Sequence, residues 1–352
     1  MRPFATIVAT ATAVPPHRAS QADIKAAFAR LFPMEARRLS ALLGSIFDNA
    51  AVEHRHSVYP LEALGRRPLG EMMSEYQRHA LPLARTVVVD ALARAEIAAD
   101  AIDLIIAVSC TGVMIPSLDA HLAGELGFRP DVRRLPITEL GCSAGAAALA
   151  RAAEFLRGLP DGNALVLSVE LPSLNLQLGD LSRDNLVSSA LFGDGAAAAV
   201  LRAGAHDGVQ IVDTDCHLLP RSTEALGFNL RSDGFHCVLS KDLPALIRPH
   251  LPALVDRLLA RSALGRADLR AFVVHPGGKT ILGGVEEALG LRREDTQPSW
   301  DVLRDFGNQS SAAILFVLDD WIHNRRAPGG AHGLLVGFGP GLSTEAALIR
   351  WS

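Results

Sequence analysis

The sequence is poor in several things. Aromatic residues make up 5% of its 352 positions, too few for the stacking platforms that hold single-stranded nucleic acid. The formal net charge is −4, so no basic excess argues for a nucleic-acid partner. Its four cysteines, Cys110, Cys142, Cys216 and Cys237, lie far apart. They form neither a Cys-x-x-Cys pair nor a zinc-ligand spacing, which leaves no expected metal site and favours free thiols in a reducing cytoplasm. No uninterrupted apolar run approaches the roughly 18 residues of a membrane span. The N-terminal run Phe4–Val14 is interrupted by Thr6, Thr10 and Thr12 and ended by Pro15-Pro16. It reads as an opening strand rather than a signal peptide.

What the chain has is apolar alternation. Hydrophobic residues make up 49%, enough for a large core or for two halves with a core each. The pattern predicts helices over Gln21–Phe32, Ala36–Phe47, Glu75–Glu96, Leu243–Ala263, Lys279–Leu289 and Gln309–His323. It predicts buried strands over Ile102–Val108, Ala164–Val169, Ala196–Leu201, Ala271–Val274, Leu334–Phe338 and Ala346–Trp351. Tyr59–Met72 reads as a Pro- and Gly-punctuated loop. Helices alternating with short apolar strands indicate α/β layers. The order of elements is similar in the two halves, 1–215 and 216–352, without sequence similarity between them.

Chemistry concentrates at three turns. Leu140–Gly145 is a small-residue turn before an Ala-rich helical run, and it places Cys142 at a helix start. The free amides and the dipole there favour negative charge, so the thiol is expected to ionise more easily than a free one. His275 follows an apolar strand and precedes Pro276-Gly277-Gly278, where a neutral imidazole can donate to a developing anion. Asn308 follows Gly307 at another helix start. Each also fits a plainer role: a small buried thiol, a structural histidine and a helix cap. Together, Cys, His and Asn at turn tips suit acyl-thioester chemistry, with a thiolate to carry the acyl group and two donors for an enolate or oxyanion. A rival reading is open. Gly141-Cys142-Ser143-Ala144-Gly145 fits G-x-S-x-G, which makes Ser143 the nucleophile of an α/β-hydrolase with His275 as base and Asp213 or Asp233 as orienting acid.

Five stretches carry a family resemblance: Gly141–Gly145, Leu191–Ala197 (Leu-Phe-Gly-Asp-Gly-Ala-Ala), Val274–Gly278, Gly307–Ala312 (Gly-Asn-Gln-Ser-Ser-Ala) and Gly337–Gly341 (Gly-Phe-Gly-Pro-Gly). In order and spacing, over nearly the whole chain, they resemble the type III polyketide synthases, the chalcone-synthase-like enzymes. The bacterial tetrahydroxynaphthalene-synthase-like members are the nearest in motif.

The resemblance implies a thiolase-like αβαβα fold with two similar halves, and a homodimer. It implies Cys142 as acyl-carrying nucleophile, with His275 and Asn308 as decarboxylation and oxyanion partners. A starter acyl-CoA would load on Cys142 and be extended by decarboxylative condensation with malonyl-CoA, then cyclised to a phenolic or pyrone product. CoA thioesters are the substrates, and no other cofactor is implied. Phe192 matches the aromatic where the CoA tunnel meets the cavity, Gly339 and Pro340 belong to a wall-shaping loop, and Ile115 falls where the family passes a side chain across the dimer. Cys110 with Thr111, and Asn175 in a stretch that usually carries small polar residues, fall at cavity positions. Arg37 and Arg38 are placed to meet CoA phosphates, or simply form a solvated helix face. The chain departs from many relatives in two places: Cys237 stands at a second gate position that is often aromatic, with Phe235 two residues away, and Gln309 stands where Met is common. A single-round β-ketoacyl synthase III-like enzyme also uses Cys, His and Asn, so it remains the alternative within the same chemistry.

Overall fold

The computed structural model describes residues 4–31, 43–65, 67–324 and 327–352. Thirteen strands are formed: β1 (Ala5–Ala13), β2 (His17–Ser20), β3 (His54–Ser57), β4 (Leu104–Val108), β5 (Arg133–Ile137), β6 (Asn163–Glu170), β7 (Gly195–Ala203), β8 (Val209–Leu218), β9 (Leu226–Arg231), β10 (Gly234–Leu239), β11 (Leu269–Val274), β12 (His332–Gly339) and β13 (Ser343–Trp351). Nine of them make one sheet in the order β11-β12-β13-β8-β1-β7-β6-β4-β5. The order contains a repeat. On one side β4 and β6 are parallel, followed by antiparallel β7 and β1. On the other, β11 and β12 are parallel, followed by antiparallel β13 and β8. The two sets join through a short antiparallel contact of β1 with β8, Ala5–Ile7 against Val209–Ile211.

Five layers result. Two helices, Ala144–Leu156 and Ala313–His323, share a central core with residues from both sets of strands. Outside the first set, the helices Leu69–Ala95 and Leu118–Leu126 cover Ile105, Leu165, Leu167 and Val200. Outside the second, Leu251–Ala260, Lys279–Leu289 and Gln297–Phe306 cover Phe272, Val274, Leu334 and Leu348. A helix between two sheets must be apolar on every side, and Ala144–Leu156 is so over Ala144–Ala150, before Arg151 and Glu154 turn to solvent: alanine supplies that with little bulk, so both sheets approach closely. The same logic explains β7. Its run Gly-Ala-Ala-Ala-Ala-Val has little intrinsic preference for a strand, but every one of those residues is buried between layers.

Several boundaries differ from the sequence expectation. The long helix begins at Leu69, inside the stretch read as a loop, because Pro68 sits at its N-cap, where a missing N–H costs nothing. Leu81 on its expected buried face is only half-buried, and Met72, Tyr76 and Ala80 extend that face instead. Leu243–Ala263 is two helices, Leu243–Ile247 and Leu251–Ala260, because Pro252 cannot continue the first and opens the second. Strand β8, the β9–β10 hairpin, the β2–β3 pair and the helix Gln297–Phe306 had no counterpart in the reading. Most of Ala36–Phe47, with Arg37 and Arg38, lies outside the described residues. Among the described residues no helix is long and apolar enough to cross a membrane, and no group of three His, Cys, Asp or Glu side chains is placed to hold a metal.

Candidate active site

Cys142 sits on a 3-10 turn, Gly141–Ser143, that runs directly into the central helix Ala144–Leu156. The turn depends on Gly141. Its φ is +52°, and a Cβ there would lie 2.6 Å from Cδ of Pro340. Pro340 and Gly339 therefore back this turn rather than line the main cavity.

Asn308 follows Gly307, whose φ of +71° ends the helix Gln297–Phe306. Its backbone N–H donates to the Leu191 carbonyl at 2.9 Å, and its carbonyl accepts from the Gly193 N–H at 3.1 Å. These bonds bridge Asn308 to Phe192 across the chain. The side chain divides its work. Oδ1 accepts from the Ser310 N–H at 2.8 Å, which caps the following turn. Nδ2 is left to donate, at 3.5 Å toward the Gly277 carbonyl and toward the Cys142 thiol. The cap and the donor are the two ends of one amide.

Cys142 Sγ lies 3.4 Å from Ser310 Oγ, and the same hydroxyl lies 3.1 Å from Cys110 Sγ. One serine thus joins two thiols. Burial pushes the Cys142 thiol up to about 11, outweighing the hydrogen bonds from Ser310 and Asn308 that favour its thiolate. This corrects the expectation of an easily ionised thiol: the helix start is real, but desolvation wins. Burial raises the Cys110 thiol well above its usual value and takes Cys237 to about 12. Cys216 is exposed on β8, away from these three.

His275 continues β11, its N–H donating to the Val336 carbonyl at 2.9 Å. The residue is 2% exposed, and neither ring nitrogen has a hydrogen-bond partner among the described residues. Burial lowers its pKa to about 3, so it is a neutral imidazole across the ordinary pH range. A buried, unpartnered imidazole in a folded protein wants a polar occupant. Gly277 adjoins it: a Cβ there would lie 3.3 Å from His275 Cδ2. Since Asn308 Nδ2 points to the Gly277 carbonyl, the His275 and Asn308 turns meet at that residue.

Beside this group opens a largely apolar cavity. Cys110, Thr111, Asn175, Phe192 and Cys237 line it, as do Phe228 and Phe235. Its far wall is aliphatic and aromatic, from Ile24, Phe28, Leu61 and Leu64. Cys237 is paired directly with Phe228 in the β9–β10 hairpin, and Phe228 meets Phe235 edge to face at 6.1 Å. Phe228 and Phe235 thus bring aromatic rings to the wall on which Cys237 stands. Ile115 does not line the cavity; it projects outward, 94% exposed, before a cis Pro116.

Residues outside the sequence reading complete the site. Glu170, at the end of β6, is fully buried and gathers the N–H groups of Cys110 and Thr111 with the hydroxyls of Thr111 and Ser311. Burial raises its pKa. The one available signal was a lone carboxylate closing an apolar strand. The hydrolase reading fails on geometry. The Ser143 hydroxyl is buried, donates to the Leu140 carbonyl at 2.9 Å and lies 3.0 Å from Ser343 Oγ. Asp213 pairs with Arg261 and Asp233 with His236, so neither orients His275.

The chain is similar over most of its length to known proteins. Residues 2–205 match the family of chalcone and stilbene synthases, N-terminal domain, and residues 210–351 match the C-terminal domain. It is 40% identical over 352 residues to a 1,3,6,8-tetrahydroxynaphthalene synthase of Streptomyces peucetius subsp. caesius, covering 98% of this chain and 93% of that one. It is 33% identical over 315 residues to a phloroglucinol synthase of Pseudomonas fluorescens, covering 89% and 90%. Its fold superposes on the crystal structure of 1,3,6,8-tetrahydroxynaphthalene synthase from Streptomyces coelicolor A3(2), a bacterial type III polyketide synthase, with a TM-score of 0.94 at 34% identity, covering 99% of each chain. The layered α/β fold and these matches identify a decarboxylating condensing acyltransferase, and the chain belongs to the chalcone and stilbene synthase family of type III polyketide synthases.

Proposed function

We propose that Cys142 carries the growing acyl chain and that Asn308 and His275 stabilise the charge that forms when malonyl-CoA loses CO2. The observation that carries this reading is that Cys142 Sγ lies 3.4 Å from the hydroxyl of Ser310, whose N–H is held by Asn308 Oδ1, with the donor end of the same amide turned toward the thiol and the His275 turn beside a largely apolar cavity. The thiol gives up its proton and attacks the starter thioester carbonyl, and CoA leaves as the thiol. Malonyl-CoA then loses CO2, and the electron pair of the broken C–C bond becomes an enolate. The Asn308 amide and a neutral His275 N–H donate to that oxygen in a dry site, where such donors act most strongly. The enolate carbon attacks the Cys142 thioester, the C–S bond breaks, and a β-ketoacyl-CoA two carbons longer is released from sulfur. Reloading repeats the cycle until the chain folds and closes to a phenolic or pyrone ring. No metal or redox group enters these steps.

The aliphatic far wall suits an extended alkyl starter or a long folded intermediate. Cys110, Thr111 and Asn175 supply polar contacts near the reacting end. We further propose that the chain acts as a homodimer in the cytoplasm, with exposed Ile115, Val113 and Leu135 near the β5 edge of the sheet as the covered face. The two halves divide in this reading between β7 and β8, because β8 belongs to the second strand set and spans the 215/216 boundary.

The deciding experiment incubates the protein with labelled malonyl-CoA and a panel of acyl-CoA starters and reads products by mass. Cyclised products two or more malonyl units longer than the starter support the iterative reading. A single β-ketoacyl product would convert it to a one-round condensing enzyme.

A further inference from the structure

Arg55 is an unusual residue for a cavity wall. It lies in β3, is 6% exposed, and has no carboxylate within ion-pairing distance among the described residues. Burial lowers its pKa to about 10, partly opposed by the charge of Asp194. A guanidinium taken out of water is costly unless its donors are used. Here the two terminal nitrogens are used, while Nε has no hydrogen-bond partner among the described residues. One terminal nitrogen donates to the Ser189 carbonyl at 2.6 Å and the Phe192 carbonyl at 2.8 Å. The other donates to Gln21 Oε1 at 3.1 Å. Gln21 in turn donates to the Ala190 carbonyl at 2.8 Å.

The stem of the same side chain fills a second space. A Cβ on Gly307 would lie 2.9 Å from Arg55 Cγ and Cδ, and one on Gly193 would lie 3.3 Å from Arg55 Cβ. Both glycines flank the bridge between Phe192 and Asn308. The head of Arg55 therefore holds one strand of that bridge by its carbonyls, and its stem wedges against the glycine that begins the other.

We propose that Arg55 is a positioning residue for Asn308, acting through the Phe192 bridge. It touches neither thiol nor reacting carbon. It fixes the main chain from which the Asn308 amide and the Phe192 ring project. A donor displaced by a fraction of an ångström loses much of its effect on a transition state, so a wedge at this point governs decarboxylation more than starter loading. The inference rests on the role proposed for Asn308, and its test includes a readout independent of activity.

Arg55→Met keeps much of the stem and removes the guanidinium. Amide hydrogen exchange at Gly193 and Asn308, whose N–H groups form the bridge, is expected to accelerate about tenfold or more, with Ala197 and Ala199 in β7 unchanged. Malonyl-CoA decarboxylation is expected to fall about tenfold or more, while acyl loading of Cys142 stays within about threefold of the parent. Arg55→Lys, which restores one donor, should recover part of both effects. Gln21→Ala, which removes one anchor of the guanidinium, should produce a weaker version of the same split. If Arg55→Met does not fold, the Lys and Gln21 variants decide. Unchanged exchange at Gly193 and Asn308 in a folded variant overturns the proposal whatever the activity does. So does an equal loss of loading and decarboxylation. If instead exchange changes as expected but the parent itself never decarboxylates malonyl-CoA, the role of Asn308 is wrong and Arg55 still sets the bridge.

Discussion

Ser310 Oγ stands 3.4 Å from Cys142 Sγ, and it is the hydroxyl that also holds Cys110. Cys110 is buried and Cys142 and Cys237 are half-buried in largely apolar surroundings, so their order of acidity is set by how much hydrogen bonding offsets desolvation. Cys142, with Ser310 and Asn308 both favouring its thiolate, is raised to about 11, against about 12 for Cys237, and burial raises Cys110 well above its usual value.

That order predicts a labelling pattern. Exposed Cys216 should react first with limiting iodoacetamide in the free protein, without loss of activity. Among the other thiols Cys142 should follow, and its labelling should coincide with inactivation. The inactivation rate should climb about tenfold per pH unit between pH 7 and 9, because only the thiolate reacts. Peptide mapping by mass checks this. Inactivation that tracks Cys110 or Cys237, with Cys142 unmodified, would assign the acyl carrier elsewhere.

Asn308→Ala removes both ends of the amide. Loss of one oxyanion donor typically lowers the rate about a hundredfold to a thousandfold. Malonyl-CoA decarboxylation should fall by that amount, and starter loading on Cys142 should persist. The lost cap at Ser310 should also cost about 1 kcal/mol of stability, visible as a lower Tm. An unchanged decarboxylation rate with only the Tm shift would leave Asn308 a cap.

Phe228 and Cys237 face each other across the hairpin, so bulk on one strand can be exchanged for bulk on the other. Cys237→Phe alone adds a ring opposite an existing one. It should narrow the cavity, lower kcat/KM for a long acyl-CoA relative to acetyl-CoA, and cost about 1–3 kcal/mol through overpacking. Phe228→Ala should move selectivity the other way. The double variant should restore much of the parental ratio. A starter ratio unmoved by any of the three, in folded proteins, would exclude this wall as a selector.

His275 predicts a dependence on pH. Burial lowers its pKa from 6.5 to about 3 in the fold, so its contribution to stability is complete above about pH 6.5 and is lost as pH falls toward 3. Asp194 has the opposite sign. Burial raises it from 3.8 to about 6, so the fold gains on the unfolded chain as pH falls through that window. Each slope is about 1.4 kcal/mol per pH unit, and between pH 6 and 4 these two nearly cancel. His275→Asn removes the first and leaves the second. The Tm of the variant minus that of the parent should therefore rise steadily as pH falls below 6.5. A difference independent of pH would mean that His275 titrates in the fold as it does in the unfolded chain.

The three candidate residues stood out in the sequence because each sits where the chain is punctuated. Gly and Pro around Cys142, His275 and Asn308 mark turns that secondary structure alone would not need. The layered fold was legible in the buried runs, such as Leu104–Val108, where no polar residue interrupts. What the sequence concealed was pairing at a distance. That Phe228 faces Cys237 depends on a hairpin register, and neither strand carried a strong alternating pattern. Glu170 has meaning only beside Thr111 and Ser311, 59 and 141 residues away. Local reasoning also misjudged the Cys142 thiol, because a helix start is visible in a sequence and the depth of its burial is not.

Gly141 and Gly339 have a consequence for how such an enzyme can change over generations. The nucleophile turn and the Gly339–Leu342 loop are cut to each other: a Cβ on Gly141 meets the Pro340 ring at 2.6 Å, and one on Gly339 runs into Ser143. Neither surface can acquire a side chain without dislodging the turn that carries Cys142. New products must therefore arise by substitution elsewhere, on the hairpin and on the helix that carries Ile24 and Phe28, while this side stays frozen. The protein is divided into a part that can drift and a part that cannot, and the line between them runs along the backbone of two glycines.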